Sequence, residues 1–162
     1  MARALGERPP QGFARWLSRF PLWLYRLRLG FLLGNRFLML THIGRKSGLA
    51  RQTVLEVVRH DDLTDSYVVA SGWGEPSNWL RNIRKTPQVT LTVGSRRLEA
   101  LAVRLSPADA EQEFRDYARR HPRAFRALSS AILAQPSPDP DQNCRSLAQS
   151  IPVVVLQATG KR

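Results

Sequence analysis

The chain has 162 residues, enough for one domain with a buried core, and a formal net charge of +12. Such a balance fits a nucleic acid, an anionic membrane or an anionic ligand, but arginine richness also follows coding composition, so charge alone assigns no partner. The single cysteine, Cys144, excludes an intrachain disulfide or cysteine–metal cluster, and His42, His60 and His121 lie too far apart in sequence to read as a metal site.

In chain order, residues 1–34 read as a basic amphipathic N-terminal helical segment and residues 35–162 as the main domain. Gly6 to Gly12 carries Pro9-Pro10 and reads as a leader. Phe13, Trp16, Leu17 and Phe20 then recur at helical spacing, and Pro21 opens a second helical stretch through Leu29. Nine basic residues stand against Glu7 alone between Met1 and Lys46. No apolar run approaches the ~20 residues of a spanning helix, and arginines interrupt every candidate signal-peptide core. A basic helix with Trp and Phe fits a membrane surface; it equally fits packing on the domain or across a homodimer.

Phe37 to Ile43 is a nearly continuous apolar run, the pattern of a strand buried on both faces. Gly44 and Gly48 bracket Arg45, Lys46 and Ser47, so a tight turn follows, and Thr53 to Val58 reads as the returning strand. With Arg51, this hairpin mouth gathers three cations: a concave anion site, or else a solvated basic turn. It is no Walker A loop, because Arg45 stands where glycine must precede the lysine. Tyr67 to Ala70 is a third strand, Ser71 to Pro76 a loop where backbone can approach a flat ring, and Ser77 the cap of a helix through Arg84. Trp79 on that helix serves either a ligand or the core.

Val89 to Val93 and Arg97 to Leu105 flank the hairpin turn Gly94-Ser95, and the mixed phase of the second strand predicts a bulge there. Ser106-Pro107-Ala108-Asp109 starts a helix to Arg120 with Phe114, Tyr117 and Ala118 inward; Pro122 starts another with Phe125, Leu128 and Ile132. Gln135 to Asn143 reads as a proline loop or lid, then one or two helical turns precede a last strand, Ile151 to Leu156. The sum is α+β: a small antiparallel barrel of about six strands with flanking helices.

No G-x-S-x-G, paired carboxylates or Cys/His couple supplies chemistry, so the pattern suits a bound cofactor that carries the reaction. The blocks L-T-x-x-G-R-K-S-G-x-x-R, Val69 to Gly74, Trp79 to Ile83, Thr86 to Val89 and Ile151 to Val155 resemble, in order, the deazaflavin (F420)-dependent nitroreductase and quinone reductase family of the split β-barrel flavin-binding superfamily. That resemblance implies coenzyme F420, an 8-hydroxy-5-deazaflavin with a phosphate and glutamate tail, and hydride transfer to a quinone, nitroaromatic or activated alkene. By motif position, Arg45, Lys46, Ser47 and Arg51 would hold the phosphate and tail. Thr53, Ser71, Gly72 and Trp79 would line the ring, with Asn82 in support. His42 stands where the family usually has Thr, and the family's tyrosine-rich stretch before the last strand is replaced by Tyr117, His121, Phe125 and a proline loop. FMN in the same barrel is the alternative cofactor, and a nucleic-acid or membrane module the non-enzymatic one. The enzyme reading places the protein in the cytoplasm, with peripheral contact at the inner face of the membrane through residues 1–34.

Overall fold

The computed structural model describes residues 36–160; the predicted N-terminal segment, 1–34, lies outside them. Six antiparallel strands, β1 (Phe37–Ile43), β2 (Ala50–Asp61), β3 (Ser66–Ala70), β4 (Gln88–Val93), β5 (Arg96–Arg104) and β6 (Val153–Ala158), close a barrel in the order β1-β2-β3-β6-β5-β4. Among the described residues four helices accompany it: α1 (Asn78–Lys85), α2 (Pro107–Arg120), α3 (Pro122–Ile132) and α4 (Pro140–Ser150). The α+β barrel expected from the sequence is the fold observed.

Alternation along the strands divides the apolar residues between two cores. Leu38, Leu40, Tyr67, Val69, Leu91, Val154 and Leu156 fill the barrel, where Trp79, Leu80 and Ile83 of α1 pack with them. Val68 and Val153 face the other way, against Phe114 of α2, Phe125 and Ile132 of α3, and Cys144 and Leu147 of α4. β3 and β6 are therefore buried on both faces, which is why they read as continuous apolar runs.

Several boundaries differ from the sequence reading, each for a local reason. β2 begins three residues early, because exposed Arg51 and Gln52 still pair with His42 and Thr41 in the ladder. The bulge falls in β2, between Val57 and Arg59, whereas β5 keeps continuous register with both neighbours. That irregularity contributes Val57 to the barrel core and Val58 to the helical one. The proline loop is shorter than expected: Asp139 caps α4 by accepting from Asp141 N–H at 3.0 Å, and Pro140 takes the first helical position. Ser106 caps α2 as expected, accepting from Asp109 N–H at 3.1 Å. Ser77 precedes α1 without capping it.

Candidate functional site

The turn between β1 and β2 is closed by two backbone hydrogen bonds, Gly44 N–H to Leu49 O and Gly48 N–H to Gly44 O, both 2.8 Å. Gly48 has φ +68°, the left-handed region that glycine enters without a Cβ penalty. At Gly44 a Cβ would lie 2.6 Å from Ser47 Oγ and 3.3 Å from Leu49 O, so a side chain there would force Ser47 to move and crowd the Leu49 carbonyl.

Helix α1 fastens this turn from one side. Asn82 Oδ1 accepts from the Arg45 backbone N–H at 3.1 Å and from Arg45 Nη1 at 3.0 Å. A backbone N–H can only donate, so the amide orientation of Asn82 is set, and its Nδ2 donates to His42 Nδ1 at 3.0 Å. His42 thus carries its proton on Nε2 when neutral. It is 4% exposed, and burial, with a smaller push from the Arg51 guanidinium, lowers its pKa from 6.5 to about 4. Lys85 Nζ donates to Arg45 O at 2.9 Å, and Arg45 Nη1 also donates to Asn78 Oδ1 at 3.2 Å.

The predicted residues therefore fall into distinct settings. Arg45 and Asn82 are joined directly, and part of the Arg45 guanidinium is engaged by the helix. Lys46 and Arg51 are exposed, and their side chains enter none of the ion pairs or hydrogen bonds among the described residues; Ser47 accepts from Leu49 N–H at 3.3 Å. Thr53 is partly buried, paired with Leu40 on the inward face of the barrel. Ser71 and Trp79 are buried: the Ser71 hydroxyl donates to Gly74 O at 3.0 Å and shares a 2.6 Å hydrogen bond with Ser77 Oγ, and the Trp79 indole packs in the barrel core. Glu75 then clamps the 71–77 loop to α1 through Arg84 and to β5 through Arg104.

Gly72 opens onto a feature the sequence did not reveal. A cavity of about 240 Å³ lies between the bulged part of β2 and helices α2 and α3. Val57, Val58, Ala70, Phe114, Leu128 and Ile151 give it apolar walls, and Glu56 and Tyr117 are the ionisable residues lining it among those described. The strand β2 joins the two features. At about 3.4 Å per residue, the five-residue step from Arg51 to Glu56 spans roughly 17 Å. The cationic turn and the apolar cavity thus lie at two points along one strand, with Gly72 of the loop after β3 lining the cavity.

The family model described as F420H(2)-dependent quinone reductase matches residues 23–132. This chain belongs to that family. It is accordingly an F420-dependent oxidoreductase. The same barrel fold recurs in solved structures of low identity. An F420-H2 dependent reductase aligns at a TM-score of 0.52 and 20% identity, over 76% of this chain and 96% of that one. A protein of unknown function from Agrobacterium tumefaciens gives 0.54 and 16%; the match covers 94% of this chain but 60% of the larger protein. A structure described as a domain-swapped dimer gives 0.52 and 18%, over 85% and 99%. The donor set agrees with the family's cofactor, since exposed, uncommitted Lys46 and Arg51 suit a polyanionic tail.

Proposed function

We propose that this enzyme binds F420 along β2 and reduces a small apolar acceptor, a quinone, nitroaromatic or activated alkene, seated in the cavity beside Gly72. The observation that carries this reading is the spatial order on one strand: unengaged cations at its start, an apolar cavity about 17 Å on, and a glycine on the cavity wall. When bound, the deazaflavin supplies hydride chemistry; the protein supplies position and exclusion of water.

In this reading Lys46, Ser47 and Arg51 meet the phosphate and tail carboxylates, with the free edge of Arg45 beside them. Thr53 and Gly72 border the ring. Ser71, Trp79 and Asn82 act one layer behind, holding the 71–77 loop and the cationic turn in place. The cavity is smaller than the ~300 Å³ at the low end for drug-sized ligands, so it suits an acceptor of one or two fused rings. Contact with anionic membrane through residues 1–34, a cytoplasmic setting and a homodimer belong to the same proposal.

The test is a fluorescence titration of purified protein with F420 and with FMN, followed by oxidation of reduced F420 in the presence of menadione, a nitroaromatic or a cyclic enone. F420 binding with turnover of at least one acceptor is expected. Preference for FMN, or F420 binding without any turnover, would overturn the reading.

A further inference from the structure

Reduction of a quinone to a hydroquinone requires two electrons and two protons. A hydride delivers both electrons and one proton, so a second proton must come from elsewhere. Of the two ionisable side chains that line the cavity among the described residues, Glu56 is engaged as an acceptor, paired with Arg36 at 3.3 Å. Tyr117 is the other, a half-buried phenol projecting from α2 among Val58, Phe114 and Leu128. It bears an O–H that can donate, and it lines the same cavity as Gly72, beside which the ring is proposed to sit.

Resting on the function proposed above, we infer that Tyr117 is the proton donor to the reduced acceptor. The acceptor takes up the hydride and its electron pair, and its C=O becomes an oxyanion. The Tyr117 O–H bond then breaks as a new O–H bond forms on the acceptor, and the phenolate recovers a proton from water. Among the described residues, the charged groups facing the phenol are Glu56 on β2, Arg36 ahead of β1 and Arg120 at the end of α2. The His121 ring lies tilted against that of Tyr117 with centroids 5.3 Å apart, on an exposed residue between α2 and α3. Burial, reinforced by Glu56 and opposed by Arg36 and Arg120, holds the Tyr117 pKa above the ordinary tyrosine value. The phenol is therefore protonated throughout the neutral range and ready to donate.

Tyr117→Phe keeps the ring and the cavity wall and removes only the hydroxyl. With reduced F420 and menadione, kcat should fall by about 100-fold, within the range for loss of a general acid. Affinity for F420, and affinity of the cofactor-free protein for menadione read by intrinsic fluorescence, should each change by no more than about twofold. Added imidazolium buffer should restore part of the turnover in the variant and none in the parent. Unchanged kcat in the variant overturns the assignment. So does a loss of menadione affinity that matches the loss of rate, since Tyr117 would then position the acceptor instead of protonating it. If the parent binds F420 yet reduces nothing, the underlying reading fails and this assignment falls with it; a parent that turns over separates the two.

Discussion

His42 sits in the barrel mouth as a neutral hydrogen-bond acceptor, and its position has a consequence for stability. Folded, its pKa is about 4; in the unfolded chain it returns to 6.5. Between those values the unfolded chain binds the extra proton and the folded one does not. The histidine's contribution is therefore complete above pH 6.5, declines as pH falls toward 4, and levels off below that. A fall from 6.5 to about 4 corresponds to roughly 3 kcal/mol, an upper figure because exposed Arg51 is screened by solvent. Urea midpoints measured from pH 7 to pH 4 should thus drop in the parent, and His42→Thr should show a flatter profile across that window. Parallel profiles would mean that His42 titrates normally in the folded protein. Threonine carries no titrating ring, so the variant removes the charge that burial penalises.

At the level of elements, the hairpin β1–β2 both frames the barrel and presents the cations, and these roles can be separated. Arg45 is tied to α1, whereas Lys46 and Arg51 are held by the backbone alone. Removing the latter two should leave the hairpin folded and weaken only the ligand. Desolvated charge-assisted bonds are worth roughly 1.5–3 kcal/mol and exposed pairs less, so Lys46→Ala with Arg51→Ala should weaken F420 binding by about 10- to 1000-fold. The loss should shrink at high salt, and shrink again for a deazaflavin without phosphate and glutamates. Fluorescence titration of both ligands with both proteins completes the cycle. Equal loss for long and truncated ligands would show that the turn supports the fold; no loss for either would make it a solvated hairpin.

Much of this hairpin could be read in advance, because Leu38 and Leu40 alternate with a second buried row and because glycines mark the turn, Gly44 at a close approach and Gly48 at a positive φ. The network beneath it could not. His42 and Asn82 are 40 residues apart, and nothing local in either says that they touch. The same holds for the cavity, which Gly72 and Tyr117 both line only because β3 and α2 pack against each other. Helix α4 was legible in principle, since Asp139-Pro140 is a cap followed by a first-turn proline; the neighbouring prolines masked it.

Over the whole molecule, charge is distributed unevenly along the chain. Residues 1–35 hold six arginines against Glu7, a net +5. Residues 36–160, more than three times as long, hold 17 basic and 12 acidic residues, also a net +5. In that larger portion many charges are internally matched, as in Arg59–Glu113 and Arg96–Asp65. No described helix is long and apolar enough to cross a membrane. The surplus at the N-terminus, interleaved with Phe13, Trp16 and Phe20, instead has the composition of a surface-seeking segment. Basic residues near an anionic bilayer contribute about 1 kcal/mol each, and buried aromatic side chains add an apolar contribution that salt does not screen. Parent protein should therefore co-sediment with vesicles containing anionic lipid, less well as salt rises and poorly with neutral vesicles. Deleting Met1 to Gly12 and changing Trp16→Ser and Phe20→Ser should reduce that binding while F420 affinity stays at the parental value. Equal co-sedimentation of parent and variant would sink the membrane assignment. A variant that also loses F420 would show that the segment serves the cofactor domain itself, and that its aromatic face is turned toward protein.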